Sequence, residues 1–355
     1  MKRSVNGMIT KTGEIVLNER TDYLDVVCGL MIIWMMIGHM ISNCDLKDTS
    51  FYIIGNRLFP FFMPWFFFKS GMFYKERTNK DVAKQGVAKL LTPWIVFSVI
   101  SVLLLSWPRI IEVGILDCTK ETIKSFIVLG TPSQNVSLWF LLTLFFVKLI
   151  SNFFVIKGIK PFFLLLLSLL LALLFFFLRR YSEESPILRY PEYLYNTITG
   201  ICFFSAGFVL KERQFSKTIV LISLFIHAFI IVILFSFVDM EHNTLVVGYY
   251  SLWILSSMTG VILTNNLFRY LCEKKSFHIL QYIGKNSIVF YVTHFIIIKL
   301  VILYISPLLP LLSNWALFLV MFGLCVIIIP IMNTLINNSS FCWVIGRSKR
   351  TGDHG

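Results

Sequence analysis

The chain has 355 residues, of which 57% are hydrophobic and only 14% charged, and its mean hydropathy is +0.77. A soluble domain carries about 25% charged residues, so the composition excludes one and points to an integral membrane protein. The net charge of +13 invites a nucleic-acid partner, but the basic residues are scattered over many short loops. That pattern is a topology signal, and no nucleic acid is expected.

Apolar segments of about 20 residues match a helix crossing a bilayer core of about 30 Å, whereas a β-barrel would show short alternating strands. The expected fold is all-α: a polytopic membrane bundle of about ten transmembrane helices, near 24–43, 56–74, 90–108, 137–156, 161–178, 194–210, 218–237, 246–266, 286–305 and 315–336. The polar stretch up to Arg20 has no apolar core before a small-residue cleavage site, so no cleaved signal peptide is expected. The organisation reads as an N-terminal tail (1–22), a membrane domain (23–338) and a C-terminal tail (339–355).

One set of loops carries Lys75, Arg77, Lys80, Lys84 and Lys89, then Lys157 and Lys160, then Lys211, Arg213 and Lys217, then Arg269, Lys274 and Lys275. The alternate loops hold Asp45 and Asp48, Glu112, Asp117 and Glu121, and Asp239 and Glu241. Lys and Arg collect on the cytoplasmic side, which places both termini there. The loop RRYSEESPILRYPE runs against the trend, either as a solvated loop or as a lip for an anionic acceptor.

In the first span, Asp25, Cys28, Ile32, Met35, Met36 and His39 share one stripe at 100° per residue, with His39 about 21 Å beyond Asp25 along the axis. An ionisable group at membrane depth costs roughly 2.5 to 3.5 kcal/mol unless it faces protein or water. His39 is therefore a candidate general base, the alternative being a histidine that only holds helices together. Asp25, too far for contact with it, is expected to order the cytoplasmic mouth.

The second span contains Pro60 and Pro64, which should break or bend the helix and free carbonyls near a cavity. Arg57 and Lys69 flank that break as candidate binding residues, or else snorkel to the two interfaces. Trp139, in SLWFLLTLF, fits either a binding role or an interfacial aromatic belt. LLLLSLLLALLFFFL in the fifth span shows no polar face and is expected to contact lipid all round. His227 has only apolar neighbours in sequence and is read as making an interhelical hydrogen bond.

In the ninth span, Ser287, Tyr291 and His294 share a face. Tyr291 and His294 are candidate binding residues, the latter a second intramembrane imidazole that needs a partner. Asn286 joins them as a candidate, although capping of the helix after a turn at Gly284 is its plainer role. Seven cysteines include no CxxC and no cluster with metal-ligand spacing, so no metal is expected; Cys44 and Cys118 lie on the same predicted outer side and could pair, with nothing in the sequence fixing the geometry.

These pieces together resemble the acyltransferase 3 family, multi-spanning membrane O-acyltransferases of bacterial sugars and polysaccharides. YLDVVCGLMIIWMMIGH is similar to the family's first span, FFMPWFFFKSG to its FHMPxFFxxSG block, and KLLTPWIVFS to its basic start of the third span. LWFLLTLF and GKNSIVFYVTH follow in family order, from Tyr23 to His294. The resemblance implies an acyl-CoA donor, usually acetyl-CoA, no bound cofactor, a carbohydrate or glycan hydroxyl as acceptor, the bacterial cytoplasmic membrane, and an essential histidine at His39. Two positions depart from the pattern: Cys28 stands where the family often has Lys or Arg, and Phe62 where FHMP has His. The competing reading is a transporter or flippase of a lipid-linked glycan or small polar solute, against which the chain shows no paired halves with matching broken helices.

Overall fold

The computed structural model describes residues 22–181, 191–211, 215–233 and 250–347. The described residues form helices and contain no strand, and the described parts of the expected apolar segments are mostly helical. Among the described residues, six helical stretches are long and apolar enough to cross a membrane: Asp22–Asn43, Asn79–Leu105, Ile115–Ile156, Glu192–Leu210, Ser287–Leu308 and Asn314–Asn338. The acidic pair Asp239 and Glu241, residues 182–190 of the arginine-bearing loop, residues 1–21 of the N-terminal tail and residues 348–355 of the C-terminal tail lie outside the described residues.

Helix α1 (Asp22–Asn43) runs through the middle of the bundle, where Leu24 through Gly29, Met31 and Ile32 are all buried. The second predicted span is broken as its prolines require. Helix α2 (Ser50–Leu58) ends before Pro60, and α3 (Phe62–Met72) restarts with Pro64 in its first turn, where a missing N–H costs no helical bond. The carbonyl of Pro60 at the break accepts a hydrogen bond from Trp253 Nε1 (3.1 Å), and Trp65 Nε1 donates to Asn265 Oδ1 (2.9 Å). Both partners belong to α12 (Tyr250–Lys274), so the break is stitched to one neighbour. Phe62, where the family has His, is an apolar packing residue at the start of α3.

Next come α4 (Asn79–Gly86), a π-helical segment (Val87–Leu91), α5 (Thr92–Leu105), α6 (Trp107–Val113) and α7 (Ile115–Leu129). Helices α8 (Trp139–Ile156), α9 (Pro161–Tyr181), α10 (Glu192–Leu210) and α11 (Lys217–Ile233) precede α12. The chain closes with α13 (His278–Lys285), α14 (Ser287–Leu300) and α15 (Asn314–Asn338). A 3₁₀ turn at Ser340–Ile345 buries Cys342 and Ile345 against the rest of the bundle.

Lipid tails are as apolar as the core, so helices here gain little from burial alone and need close backbone approach instead. Two crossings supply it through reciprocal glycines. A Cβ on Gly29 would sit 2.1 Å from the Leu280 carbonyl oxygen, and one on Gly284 would sit 1.8 Å from that of Asp25, which locks α13 onto α1. Gly71 and Gly207 play the same part between α3 and α10, facing the carbonyls of Phe204 and Phe68 at 1.9 and 2.0 Å. Gly284 is thus a contact residue inside α13 and does not end a turn, as the sequence had suggested.

Two further expectations change. The fifth span, α9, is not lipid-facing all round: Leu164, Ser168 and Ala172, spaced four apart, form a buried stripe on the side that packs against α10. Ser168 and Ala172 are the small residues of this leucine-rich run, and their spacing of four marks the buried face. Cys44 lies 3.8 Å from the Met321 sulfur, and all seven cysteines, Cys118 included, are free thiols.

Candidate functional site

A chamber of about 520 Å³ opens among α1, α3, α8, α14 and the segment joining α3 to α5. One part of its wall is apolar or neutral, with Ile32, Phe140, Leu141, Leu144, Ile288 and Tyr291. Among the described residues, the other part carries the cations Lys69, Lys75, Arg77, Lys89 and Lys148 and is lined by no carboxylate. Its cationic part lies at the end of the bundle where the basic loop 73–89 connects α3 to α5.

The cations are held in place by different means. Lys69 Nζ sits 3.5 Å from Asp25 Oδ1 and 3.4 Å from the Leu24 carbonyl, over the ring of Trp65 at 5.3 Å. Its ammonium is therefore turned into the protein and not toward headgroups, because a fully buried carboxylate on α1 attracts it. Lys89 is presented by the π-helical segment, whose wider turn displaces it from the preceding helix. Lys148 projects from α8, one turn beyond Leu144 on the chamber wall. Among the described residues, Lys75, Arg77, Lys89 and Lys148 have no ion-pair partner.

Asn152, one turn past Lys148 and fully buried, fixes the mouth. Its Oδ1 accepts from Tyr74 Oη (2.7 Å), while its Nδ2 donates to the Arg77 carbonyl (3.0 Å) and to Asn79 Oδ1 (2.8 Å). Three groups of the basic loop are thereby tied to one side chain of α8. Burial and the nearby Glu76 push the Tyr74 hydroxyl up to about 12, so it stays a donor at any physiological pH.

At the neutral end the two family-like motifs from α8 and α14 meet. Tyr291 Oη donates to the Ser137 carbonyl just before α8, and its ring lies 5.7 Å from that of Phe140. Next along α14 is His294, fully buried, with its ring 6.3 Å from Tyr291 and 5.3 Å from that of His39. Nδ1 of His294 faces two acceptors, the carbonyls of Tyr291 (2.8 Å) and Phe290 (3.1 Å), so it carries the ring proton. Nε2 is left as a lone pair with no hydrogen-bond partner among the described residues.

His39 is partly exposed and is not part of the chamber wall; Tyr291 and His294 stand between them. Its ring also makes an edge contact with Phe295 at 5.2 Å. On the turn below it, Met31, Ile32, Met35 and Met36 are buried, whereas Gly38, His39, Ser42 and Asn43 are all partly exposed and a Cβ on Gly38 would meet nothing within 4 Å. His39 is thus the innermost accessible polar group on that face, approached from the Asn43 end.

The remaining candidates fall elsewhere. Gly55 meets the ring of Trp34, so the last turn of α2, with the partly buried Arg57, lies beside the middle of α1 and away from the chamber wall. Trp139 is buried in the first turn of α8, not displayed in a lipid-facing belt, and its neighbours Phe140 and Leu141 line the chamber in its place. Asn286 makes no side-chain cap on α14; its Nδ2 reaches back to the Tyr282 carbonyl (3.0 Å) and closes α13. Cys28 does line the chamber. His227 behaves as a helix tie, its Nδ1 3.1 Å from the Ser256 carbonyl and 3.3 Å from Thr259 Oγ1 on α12.

Sequence reading missed Lys148 and Asn152 as site residues and took Lys75, Arg77 and Lys89 only as markers of topology. The signal for Lys148 was present: it is an ionisable residue inside an apolar run, the same argument that singled out the histidines.

No curated protein and no solved structure matches the chain. A family model for an acyltransferase domain matches residues 21–333, which takes in the chamber, both histidines and every helix from α1 to most of α15. The chain belongs to the acyltransferase 3 family of membrane acyltransferases.

Proposed function

We propose that the protein moves an acyl group, acetyl in the simplest case, from acyl-CoA to a hydroxyl of a sugar or cell-surface glycan in a bacterial cytoplasmic membrane, with His39 as the general base. The observation that carries this reading is the two-part wall of the chamber: five cations at one part and a neutral, largely apolar part leading to Tyr291 and His294. Coenzyme A thioesters have the same polarity, with phosphates at one end and a neutral arm ending in the acyl group at the other. Unpaired cations beside low-dielectric walls attract such an anion and raise its local concentration. The basic loops put this mouth on the cytoplasmic side, where both termini also lie.

In the reaction, neutral His39 takes the proton of the acceptor hydroxyl as that oxygen bonds to the thioester carbonyl carbon. The tetrahedral adduct collapses with loss of the C–S bond, the thiolate leaves, and the imidazolium returns the proton to sulfur. The products are an ester and free CoA, with His39 neutral again. His294, protonated at Nδ1, offers a lone pair and so favours a positive charge on the adjacent imidazole as it forms. The acceptor comes to His39 from the Asn43 end, where α1 is open beside Gly38. Asp25 and Lys69 keep the mouth in shape, and Arg57, Trp139 and Asn286 support the surrounding helices.

The test is release of CoA thiol by the purified protein supplied with acetyl-CoA and a glycan acceptor. Release is expected from the native protein and is lost in His39→Ala, provided that the variant remains monodisperse. Activity retained in that variant refutes the base assignment. A transporter or flippase would cleave no thioester at all.

A further inference from the structure

Resting on the reading that His39 is the base and that the acceptor reaches it from the Asn43 end, we propose that Lys299 sets acceptor specificity: the carbohydrate that is acylated carries an anionic group, held by the Lys299 ammonium one helical turn outward of the imidazole. The chemistry recognised is a carboxylate of an acidic sugar or a phosphate joined to the sugar.

Lys299 interrupts the run IIIKLVILYI on α14, and a lysine in such a run is costly unless its ammonium has somewhere polar to go. The ordinary solution is to snorkel outward, here toward Leu308, where the helical stretch ends. Lys299 does the opposite. Its Nζ lies back over the ring of Phe295, one turn earlier on α14, at 5.5 Å from the centroid, and donates to Asn43 Oδ1 on α1 at 2.8 Å.

Both neighbours lead to His39. Phe295 meets the imidazole edge-on at 5.2 Å, and Nδ2 of Asn43 donates to the His39 carbonyl at 2.7 Å. One phenyl ring and one amide therefore fix the ammonium beside the base, which makes Asn43 a positioning residue. The face around them is open: His39, Ser42, Asn43 and Lys299 are all partly exposed, and a Cβ on Gly38 would meet nothing within 4 Å.

Neither neighbour supplies a negative charge. Asn43 is neutral, and no carboxylate among the described residues comes within ion-pair distance of Lys299. Asp45 and Asp48, on the turn after α1, are exposed and make no ion pair with it, and the charged residue between them, Lys47, is another cation. Asn43 takes one of the three ammonium N–H groups, and Lys299 makes no other hydrogen bond among the described residues.

The proposed reaction makes that missing anion matter. When His39 accepts the hydroxyl proton, an imidazolium forms with Lys299 one phenyl ring away, and like charges beside apolar helices repel. A neutral acceptor leaves the repulsion in place. An acceptor whose own anion sits on Lys299 cancels it, and so gains in the transition state as well as in binding. Asn43 is four residues beyond His39, about 6 Å along α1, so the anion belongs to the acylated sugar unit or to its direct neighbour.

The test supplies the purified protein with acetyl-CoA and methyl glycosides of glucose, galactose and mannose, each compared with its uronic acid and with the corresponding sugar 1-phosphate. In whichever configuration is acylated, an acidic form should exceed the neutral one by about tenfold or more in kcat/KM, the scale of one charge-assisted hydrogen bond. Preference for the uronic acid assigns the anion to a carboxylate, and preference for the 1-phosphate assigns it to a phosphate. Lys299→Met should abolish the preference, lowering kcat/KM for the acidic acceptor and raising kcat for the neutral one, whereas Lys299→Arg should keep most of it. Asn43→Ala, which frees the ammonium, should weaken the preference and serves if Lys299→Met misfolds. A second readout needs no turnover: acidic glycosides, but not neutral ones, should slow modification of Lys299 by an amine-reactive ester, followed by peptide mass spectrometry.

Equal use of acidic and neutral acceptors, or an acidic preference that survives both in Lys299→Met and in Asn43→Ala, refutes the role of Lys299 and leaves the acyltransferase reading intact. Where no acceptor supports thioester cleavage, the labelling decides: selective protection keeps the anion site and overturns the acyltransferase reading, and its absence overturns both.

Discussion

His294 and His227 are both imidazoles buried in apolar helices, and their surroundings give them opposite fates. His227, on α11, has Nδ1 within reach of a carbonyl and two hydroxyls on α12, and the backbone of Leu58 also contributes. Its polarity is used up in joining helices. His294, on α14, spends Nδ1 on carbonyls of its own helix, keeps Nε2 without a partner and lies 5.3 Å from a third imidazole, His39. Burial of a polar atom without a bond costs about 1 to 3 kcal/mol. The cost is tolerated at His294 and avoided at His227, a difference that the proposed role of His294 beside His39 would account for.

The contrast can be broken most directly at His39. Replacement by Ala should lower thioester-dependent acyl transfer by about 10² to 10⁴-fold, the usual share of a general base, with no change in the detergent-solubilised oligomeric profile. His294→Ala comes next: loss of the lone pair next to His39 should cost about ten- to a hundredfold in turnover, while His294→Gln, which can still offer an oxygen, should recover part of it. For His227→Ala the loss should be in the fold. Thermal unfolding should shift by an amount equal to about 1 kcal/mol, the scale of one interhelical hydrogen bond in a membrane, with kcat within about twofold of native. A large loss of turnover in this variant without a loss of stability would undo the comparison.

The smallest expected effect is at Gly38, next to His39. A methyl group there meets open space, so Gly38→Ala should leave both stability and donor cleavage close to native. Gly29→Ala, nine residues earlier on the same helix, is the control: its new methyl would lie 2.1 Å from the Leu280 carbonyl and should reduce folded yield. Equal behaviour of the two glycine variants, measured by size-exclusion yield, would show that α13 is not held against α1 as described.

Much of this was legible in the chain. Apolar length gave the helices, the prolines gave the break between α2 and α3, and an isolated imidazole in an apolar run singled out His39, His227 and His294 as candidates. Each of these is a local property, in which one short stretch carries the whole signal. What was not legible is which of those residues meet. Lys69 looked like a headgroup-seeking lysine because snorkelling is the default for a cation near a helix end; its actual direction depends on Asp25, 44 positions away. Trp139 looked interfacial because tryptophan often is, and the buried start of α8 is set by the packing of α14 against it. Asn286 and Gly284 looked like capping residues because their types suit caps, yet one closes the previous helix and the other makes room for α1.

The sequence by itself determined that this is an all-α membrane protein, which residues carry charge at depth, and, through five short motifs in order, the family to which it belongs. Only the tertiary structure decided that Lys75, Arg77, Lys89 and Lys148 share one chamber, that His39 faces His294, and that His227 does neither. The physical reason is range. Hydropathy and backbone chemistry act within a few residues, so the chain displays them openly, whereas a binding wall is made by side chains from α1, α3, α8 and α14 whose approach depends on four glycines and one amide far apart in sequence.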